Sequence, residues 1–278
     1  MVSNGKFGDT NTNTIQLRAI ATTHHSDSTF INELALAPRD CAQTVSFCTS
    51  VASISRRIAA MLEKGYELTA VAGHDGKLIS AFTKATRPDS LNVLGINDAD
   101  PGISHAYRLS ANTLQHVAHN GHEWLFGYLP EKKYLSQALM KSITMEALLA
   151  QIKGNWKRGY RVTSLTQGAG HWIAVATQLP NAEEQSYFTA CDAEALQEKT
   201  RQAWDDGRKI TCITYGGGKW LVILNKTETI ASQKWVTRKS FVDLRSKIRE
   251  EWSRGFQVTS LARGEDVWLA VLSRINQQ

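Results

Sequence analysis

A glycine that follows a tryptophan by three residues recurs at a fixed interval along this chain, and the period limits the folds open to it. Gly159, Gly207 and Gly255 stand 48 residues apart, with Trp156, Trp204 and Trp252 ahead of them. Gly65 and Gly121 extend the series as weaker copies. One such unit is too small to bury its own apolar face, so neighbouring copies must stack on each other.

Within a unit the pattern reads as a helix followed by a hairpin. Leu148, Ile152 and Trp156, then Leu196, Thr200 and Trp204, then Leu244, Ile248 and Trp252 advance in steps of four, which keeps each set on one helical face. Ile54, Ile58 and Leu62 repeat the stripe before Gly65, and Ser110, Leu114 and Ala118 give a diluted version before Gly121. The glycine sits where a helix C-cap needs a left-handed residue. After it come β-rich runs (ELTAVA, RVTSLT, KITCITY, QVTSLA), then glycine-bearing turns (GHDG, QGAG, YGGGK, RGED), then apolar strands (KLISAF, HWIAVA, KWLVIL, VWLAVL). A third segment, QTVSFCTS, HAYRLS, QSYFTACD or QKWVTRKS, precedes most helices and reads as an extra strand. Residues 14–37 hold two apolar runs with a turn but no helix, so six hairpins and five helices are expected.

The expected fold class is therefore α+β: an array or closed, propeller-like ring of five to six βββα repeats of about 48 residues. The units fall at approximately 14–48, 49–106, 107–143, 144–191, 192–239 and 240–278, forming one repeat domain from 14 to 278. Closure is preferred over an open array because it removes long unpaired strand edges. Residues 1–13, MVSNGKFGDTNTN, bury too little to offset their ordering entropy and are expected to be a disordered tail.

Composition narrows the function classes. No stretch reaches the ~18 apolar residues of a membrane span, and the N-terminus lacks a secretory signal pattern, so a cytoplasmic or nuclear chain with no membrane partner is expected. Cys41, Cys48, Cys191 and Cys212 are widely spaced without CxxC pairs, which argues for reduced thiols. A net charge of +6 favours acidic partners mildly, but the basic residues are interspersed with acidic ones, as in RSKIREEWSR, and nucleic acid is not favoured. The pattern does not set the oligomeric state.

The pattern W-x-x-G-[YF]-x-[VI]-T-S-[LM] stands here as Trp156, Gly159, Tyr160, Val162, Thr163, Ser164 and Leu165, and again as Trp252, Gly255, Phe256, Val258, Thr259, Ser260 and Leu261. The copy from Trp204 departs, with Arg208 in the aromatic place and Cys212 in the serine place. This motif resembles the repeat in the C-terminal region of plant casein-kinase-I-like kinases and of cyanobacterial repeat proteins. The resemblance covers residues 144–274 well and 48–139 poorly. It implies an accessory interaction domain and carries over no site residues.

Catalytic signals are sparse. There is no kinase catalytic loop, G-x-S-x-G elbow, HExxH or CxxC, and Tyr215 to Lys219 lacks the spacing and following helix of a phosphate loop. The chain reads as leaning away from an enzyme, with no cofactor. His116, His119 and His122 are the densest histidine group, and a helix there would put the first two on one face for a metal. A solvated surface is the competing reading. His24, His25, His74, Asp75, His171 and Lys219 fall in or beside predicted turns that gather at one rim, where ligand or partner contacts are expected. The six tryptophans at periodic positions are expected in the core.

The leading expectation is a non-catalytic scaffold for a protein partner, with residues 85–106 as a specificity-bearing insertion. The alternative is an enzyme, or a small-molecule, nucleotide or glycan binder, with its site at the rim or the central axis.

Overall fold

The computed structural model describes residues 43–97, 113–130, 136–179 and 183–276. The tail 1–13, the hairpin expected at 14–37, His24, His25 and the HAYRLS segment lie outside the described residues. Fifteen strands form five three-stranded antiparallel sheets, and four helices accompany them among the described residues.

The first sheet sets the pattern. Strand β1 (Gln43–Cys48) leads into helix α1 (Val51–Glu63), then β2 (Tyr66–His74) and β3 (Lys77–Lys84), in the spatial order β1-β3-β2. Sheet three holds β7 (Gln137–Ser142), α2 (Met145–Lys157), β8 (Tyr160–Gly168) and β9 (His171–Gln178). Sheet four holds β10 (Gln185–Ala190), α3 (Ala193–Asp205), β11 (Arg208–Gly216) and β12 (Lys219–Lys226). Sheet five holds β13 (Ile230–Arg238), α4 (Phe241–Trp252), β14 (Gln257–Arg263) and β15 (Trp268–Ile275). Each helix starts on a side-chain N-cap, from Ser50, Thr144, Asp192 and Ser240 in turn. Gly65, Gly159, Gly207 and Gly255 follow the helices with φ between +73° and +82°, the cap geometry expected of the repeat glycine.

Sheet two corrects the sequence alignment. It consists of β4 (Asn92–Asn97), β5 (Thr113–His119) and β6 (Glu123–Leu129). The stripe Ser110, Leu114, Ala118 was expected to be helical, but Leu114 and Ala118 lie on β5, and Gly121 turns the β5–β6 hairpin with φ +103°. A helix cap and a tight hairpin both demand positive φ, so the same glycine preference misplaced the unit. Trp124 therefore opens a middle strand as Trp172, Trp220 and Trp268 do, all at a spacing of 48. The segment 85–106, expected as an insertion, contains β4, the edge strand of this sheet.

The core sits between successive sheets. One cluster joins α1 with sheets one and two, another joins sheets two and three, and α2 lies with sheets three and four. Helix α3 shares a cluster with sheets four and five. The remaining cluster joins Leu244, Ile248 and Trp252 of α4 to Val45, Ala70 and Ile79 of sheet one. The strands that follow the helices, β2, β5, β8, β11 and β14, are the inner strands: β2 neighbours β5 and β14, β8 neighbours β5 and β11, and β11 neighbours β14.

A repeated polar clasp ties these sheets together. Gln185 Nε2 donates to the Val162 carbonyl and to Asn225 Oδ1, at 2.9 Å each. Its Oε1 accepts from Val162 N at 2.8 Å and from Trp156 Nε1 at 2.9 Å. Gln233 does the same to Ile210, Trp204 and Ser273. Gln137 clasps Leu114 and reaches Thr177. Gln43, at the start of the described chain, clasps Val258 and Trp252 more than 200 residues away and reaches Thr83 in its own sheet. One carboxamide thus satisfies both backbone groups of a strand residue that its own sheet leaves free beside a β-bulge.

The motif residues now have physical parts. The Val or Ile is the clasped residue, and the following Thr is the bulge, its hydroxyl bonded back to the middle strand at Thr83, Thr177, Asn225 or Ser273. Sheet two breaks the rule: apolar Leu91 and Leu129 take the corresponding places, and Leu68 of sheet one receives a bond from His116 Nε2 instead.

Replacing Gln43 with alanine strands the buried amide and carbonyl of Val258 as well as the Trp252 indole. The expected loss is roughly 2–4 kcal/mol of unfolding free energy, measured by urea denaturation. A Gln43→Glu variant, which keeps the size but loses the donor, is expected to fall by a comparable amount.

Candidate functional site at the turn-bearing end of the inner strands

The inner strands end on glycines for a reason of packing. A Cβ on Gly168 would lie 2.2 Å from the His119 ring, one on Gly216 2.4 Å from Gln167, and one on Gly264 2.7 Å from Trp220. One on Gly73 would meet the His119 carbonyl oxygen at 2.3 Å. Each glycine therefore lets the neighbouring unit close in. His119 pairs with Trp124 as Gln167, Tyr215 and Arg263 pair with Trp172, Trp220 and Trp268, and it stacks on Trp124 with ring centroids 4.6 Å apart.

The hairpins beyond are tight. Asp75 and Gly76, Ala169 and Gly170, and Gly217 and Gly218 hold positive φ at both central positions, the turn that matches strand twist. Between the strand ends lies a cavity of about 310 Å³, lined by Val71 to His74, Leu165 to Gln167, Ile213 to Gly217 and Leu261 to Glu265. A deeper space of about 80 Å³ continues from it, bordered by the bulge residues Thr69, Thr163, Thr211 and Thr259 and by His116. Val71, Leu165, Ile213 and Leu261 border both.

The residue preceding each strand-end glycine faces different demands. It is Gln167, Tyr215 or Arg263 before Gly168, Gly216 and Gly264, while Gly73 and His119 hold that register in sheets one and two, and all but His119 line the larger cavity. Tyr215 packs on Trp220 with centroids 5.1 Å apart, and its hydroxyl lies 3.5 Å from Glu265 Oε2. Burial first, and then Glu265, push the Tyr215 phenol above its ordinary value. The Arg263 guanidinium sits over the Trp268 ring at 5.2 Å, and burial lowers its pKa against the opposing pull of Asp266 and Asp75. His74 is exposed at the rim, and partial desolvation followed by the Arg263 charge lowers its pKa.

The sequence-derived candidates divide. His74 lines the cavity, and Asp75 forms the adjoining turn with an ion pair to Lys77 at 3.4 Å. His171 bonds its Nδ1 to the Ala169 carbonyl at 2.8 Å, and Lys219 is exposed; each is the first residue of the strand after its turn, and neither lines the cavity. The histidine cluster does not converge. His116 and His119 are on strand β5, where spacing of three carries no shared helical face, and His122 lies in the turn against Gly76. Among the described residues no group of three or more His, Cys, Asp or Glu is placed to hold a metal. Sequence reasoning missed Gln167, Tyr215 and Arg263, whose signal was variation at one position of an otherwise repeating strand.

The described cysteines are free thiols. Burial pushes Cys212 up to about 12 and raises Cys48, which makes both poor nucleophiles. Cys41 lies outside the described residues. The core tryptophans behave as expected, with Trp172, Trp220, Trp252 and Trp268 buried and Trp156 and Trp204 partly so. No described helix is long and apolar enough to cross a membrane. In comparison with known proteins, the chain matches no family model and no curated protein.

His116 gives the deep space a pH signature. Burial lowers its pKa to about 4, opposed by its bond to Leu68 O at 3.1 Å. The folded protein thus takes up this proton later than the unfolded chain, so stability is full above pH ~6.5 and falls as the pH drops toward about 4. Because part of the ring borders the small cavity, the loss is on the order of 2 kcal/mol rather than the full shift. Urea unfolding at pH 7 and pH 4.5 is expected to show this fall, and His116→Gln to flatten it.

Proposed function

We propose that this chain is a non-catalytic binding scaffold whose five sheets close into a propeller-like ring and engage a protein partner at the turn-bearing end of the inner strands. The observation that carries the reading is the variable position. Around it the glutamine clasp, the bulge threonine, the strand-end glycine and the buried middle strand recur, so those residues are committed to architecture. Gln167, Tyr215 and Arg263 share one register position that is free of that demand, and together they line one cavity. Loops and strand ends on a rigid repeat scaffold are where binding specificity is carried.

Closure is supported by the cyclic neighbour order of the inner strands and by the Gln43–Val258 clasp, which uses the same bonds as its counterparts. An accessory role fits the resemblance to the C-terminal repeats of plant casein-kinase-I-like kinases. A second reading, a small-molecule binder at the same mouth, is favoured by the cavity volume of about 310 Å³, which falls at the lower end of ligand pockets. The shared claim of both readings is the location.

An isotope-labelled chain screened by NMR against fragments and short peptides tests that location. Binding shifts are expected to centre on the amides of Ala72, Gln167, Tyr215 and Arg263. Shifts centred on the exposed faces of α2 to α4, with the mouth silent, would contradict the reading.

A further inference from the structure

Among the described residues that line the mouth cavity, Arg263 is the only lysine or arginine. Gly73, His119, Gln167 and Tyr215 hold the same register in the other units, so the fold does not require an arginine there. The Trp268 ring lies beneath the guanidinium, 5.2 Å from its central carbon. Its Nε and Nη1 are shielded from solvent and have no hydrogen-bond acceptor among the described residues. Guanidinium N–H groups withdrawn from water cost free energy until an acceptor fills them.

The nearby carboxylates leave that role open. Asp75 and Asp266 act on Arg263 through space, but both are exposed, and each has a lysine alongside, Lys77 at 3.4 Å and Lys239 at 3.9 Å. Glu265 borders the cavity with its Oε2 beside the Tyr215 hydroxyl. Thr166, Gln167 and Thr214 add hydroxyl and amide groups to the lining.

Building on the binding-face reading above, we infer that the mouth cavity receives a carboxylate group, with Arg263 as its principal donor. A carboxylate is a charged acceptor for the edge of the guanidinium that is open to the cavity, Nε and Nη1 being shielded. It also brings a single negative charge near Glu265, where a phosphate dianion would bring twice the repulsion. The carboxylate belongs either to an acidic side chain of a protein partner or to a small free acid.

The test is an NMR titration of the full chain that follows the Arg263 Nε–Hε resonance, with acetate, succinate, neutral acetamide, inorganic phosphate and a blocked Gly-Glu-Gly peptide as probes. Acetate and succinate are expected to shift it saturably, acetamide to leave it in place, and phosphate to bind more weakly than either acid. Arg263→Gln is expected to weaken succinate binding at least about tenfold while the thermal midpoint stays near that of the parent chain. Arg263→Lys, which keeps the charge and loses the fork, serves as the second variant and is also expected to weaken binding. Tighter binding of the peptide than of the free acids assigns the carboxylate to a protein partner, and the reverse order assigns it to a small acid. Lack of saturation by every carboxylate, an equal response to acetamide, tighter binding of phosphate, or undiminished affinity in the folded variants would overturn the proposal. If other probes still shift Ala72, Gln167 and Tyr215, only the carboxylate assignment fails and the binding face stands.

Discussion

The fold rests on a carboxamide that reaches from one sheet into the next. A bulge in each inner strand frees the amide and carbonyl of one residue from its own ladder, and burial would make those groups costly if unpaired. A glutamine at the head of the following sheet's edge strand meets both, and a tryptophan indole from the preceding helix completes the acceptor. Apolar packing between sheets is non-directional, whereas this arrangement fixes register. The unit therefore repeats with little tolerance, and the tryptophan, valine and threonine of the motif follow from one set of hydrogen bonds.

That rigidity separates the residues committed to architecture from those left free to vary. Once helix stripe, cap glycine, clasped residue, bulge and close-approach glycine are assigned, the polar groups left over gather at the strand ends. Arg263, Tyr215 and Gln167 stand on strands held by the clasp, not on long loops, so their positions are set to the precision of a sheet. The mouth is a preorganised surface whose chemistry changes from unit to unit while its geometry stays constant.

Much of the fold is legible in the sequence, because period and glycine position each have a direct physical cause. The helices before Gly65, Gly159, Gly207 and Gly255 and the hairpins after them stand where the pattern puts them. The second sheet was misread because Gly121 satisfies a hairpin's need for positive φ as readily as a helix cap's. Two signals at the same interval resolve it: Trp124 begins the 48-residue series of Trp172, Trp220 and Trp268, and Gln137, Gln185 and Gln233 share that spacing. The clasp itself was hidden, since Trp156 and Gln185 are 29 residues apart and Trp252 and Gln43 are 209 apart. Of the site, the rim was legible through His74 and Asp75. The cavity-lining Arg263 was not, because charge in a turn sequence reads as ordinary surface.

The Gln43–Val258 clasp is the point on which the cyclic account depends, and native-state amide hydrogen exchange reports on it directly. If the first and last sheets are joined as the others are, the Val258 amide exchanges as slowly as those of Val162 and Ile210, through opening of the whole fold. Exchange at Val258 that is far faster than at Val162 and Ile210, independent of global stability, would show that the first and last sheets part on their own and would contradict closure.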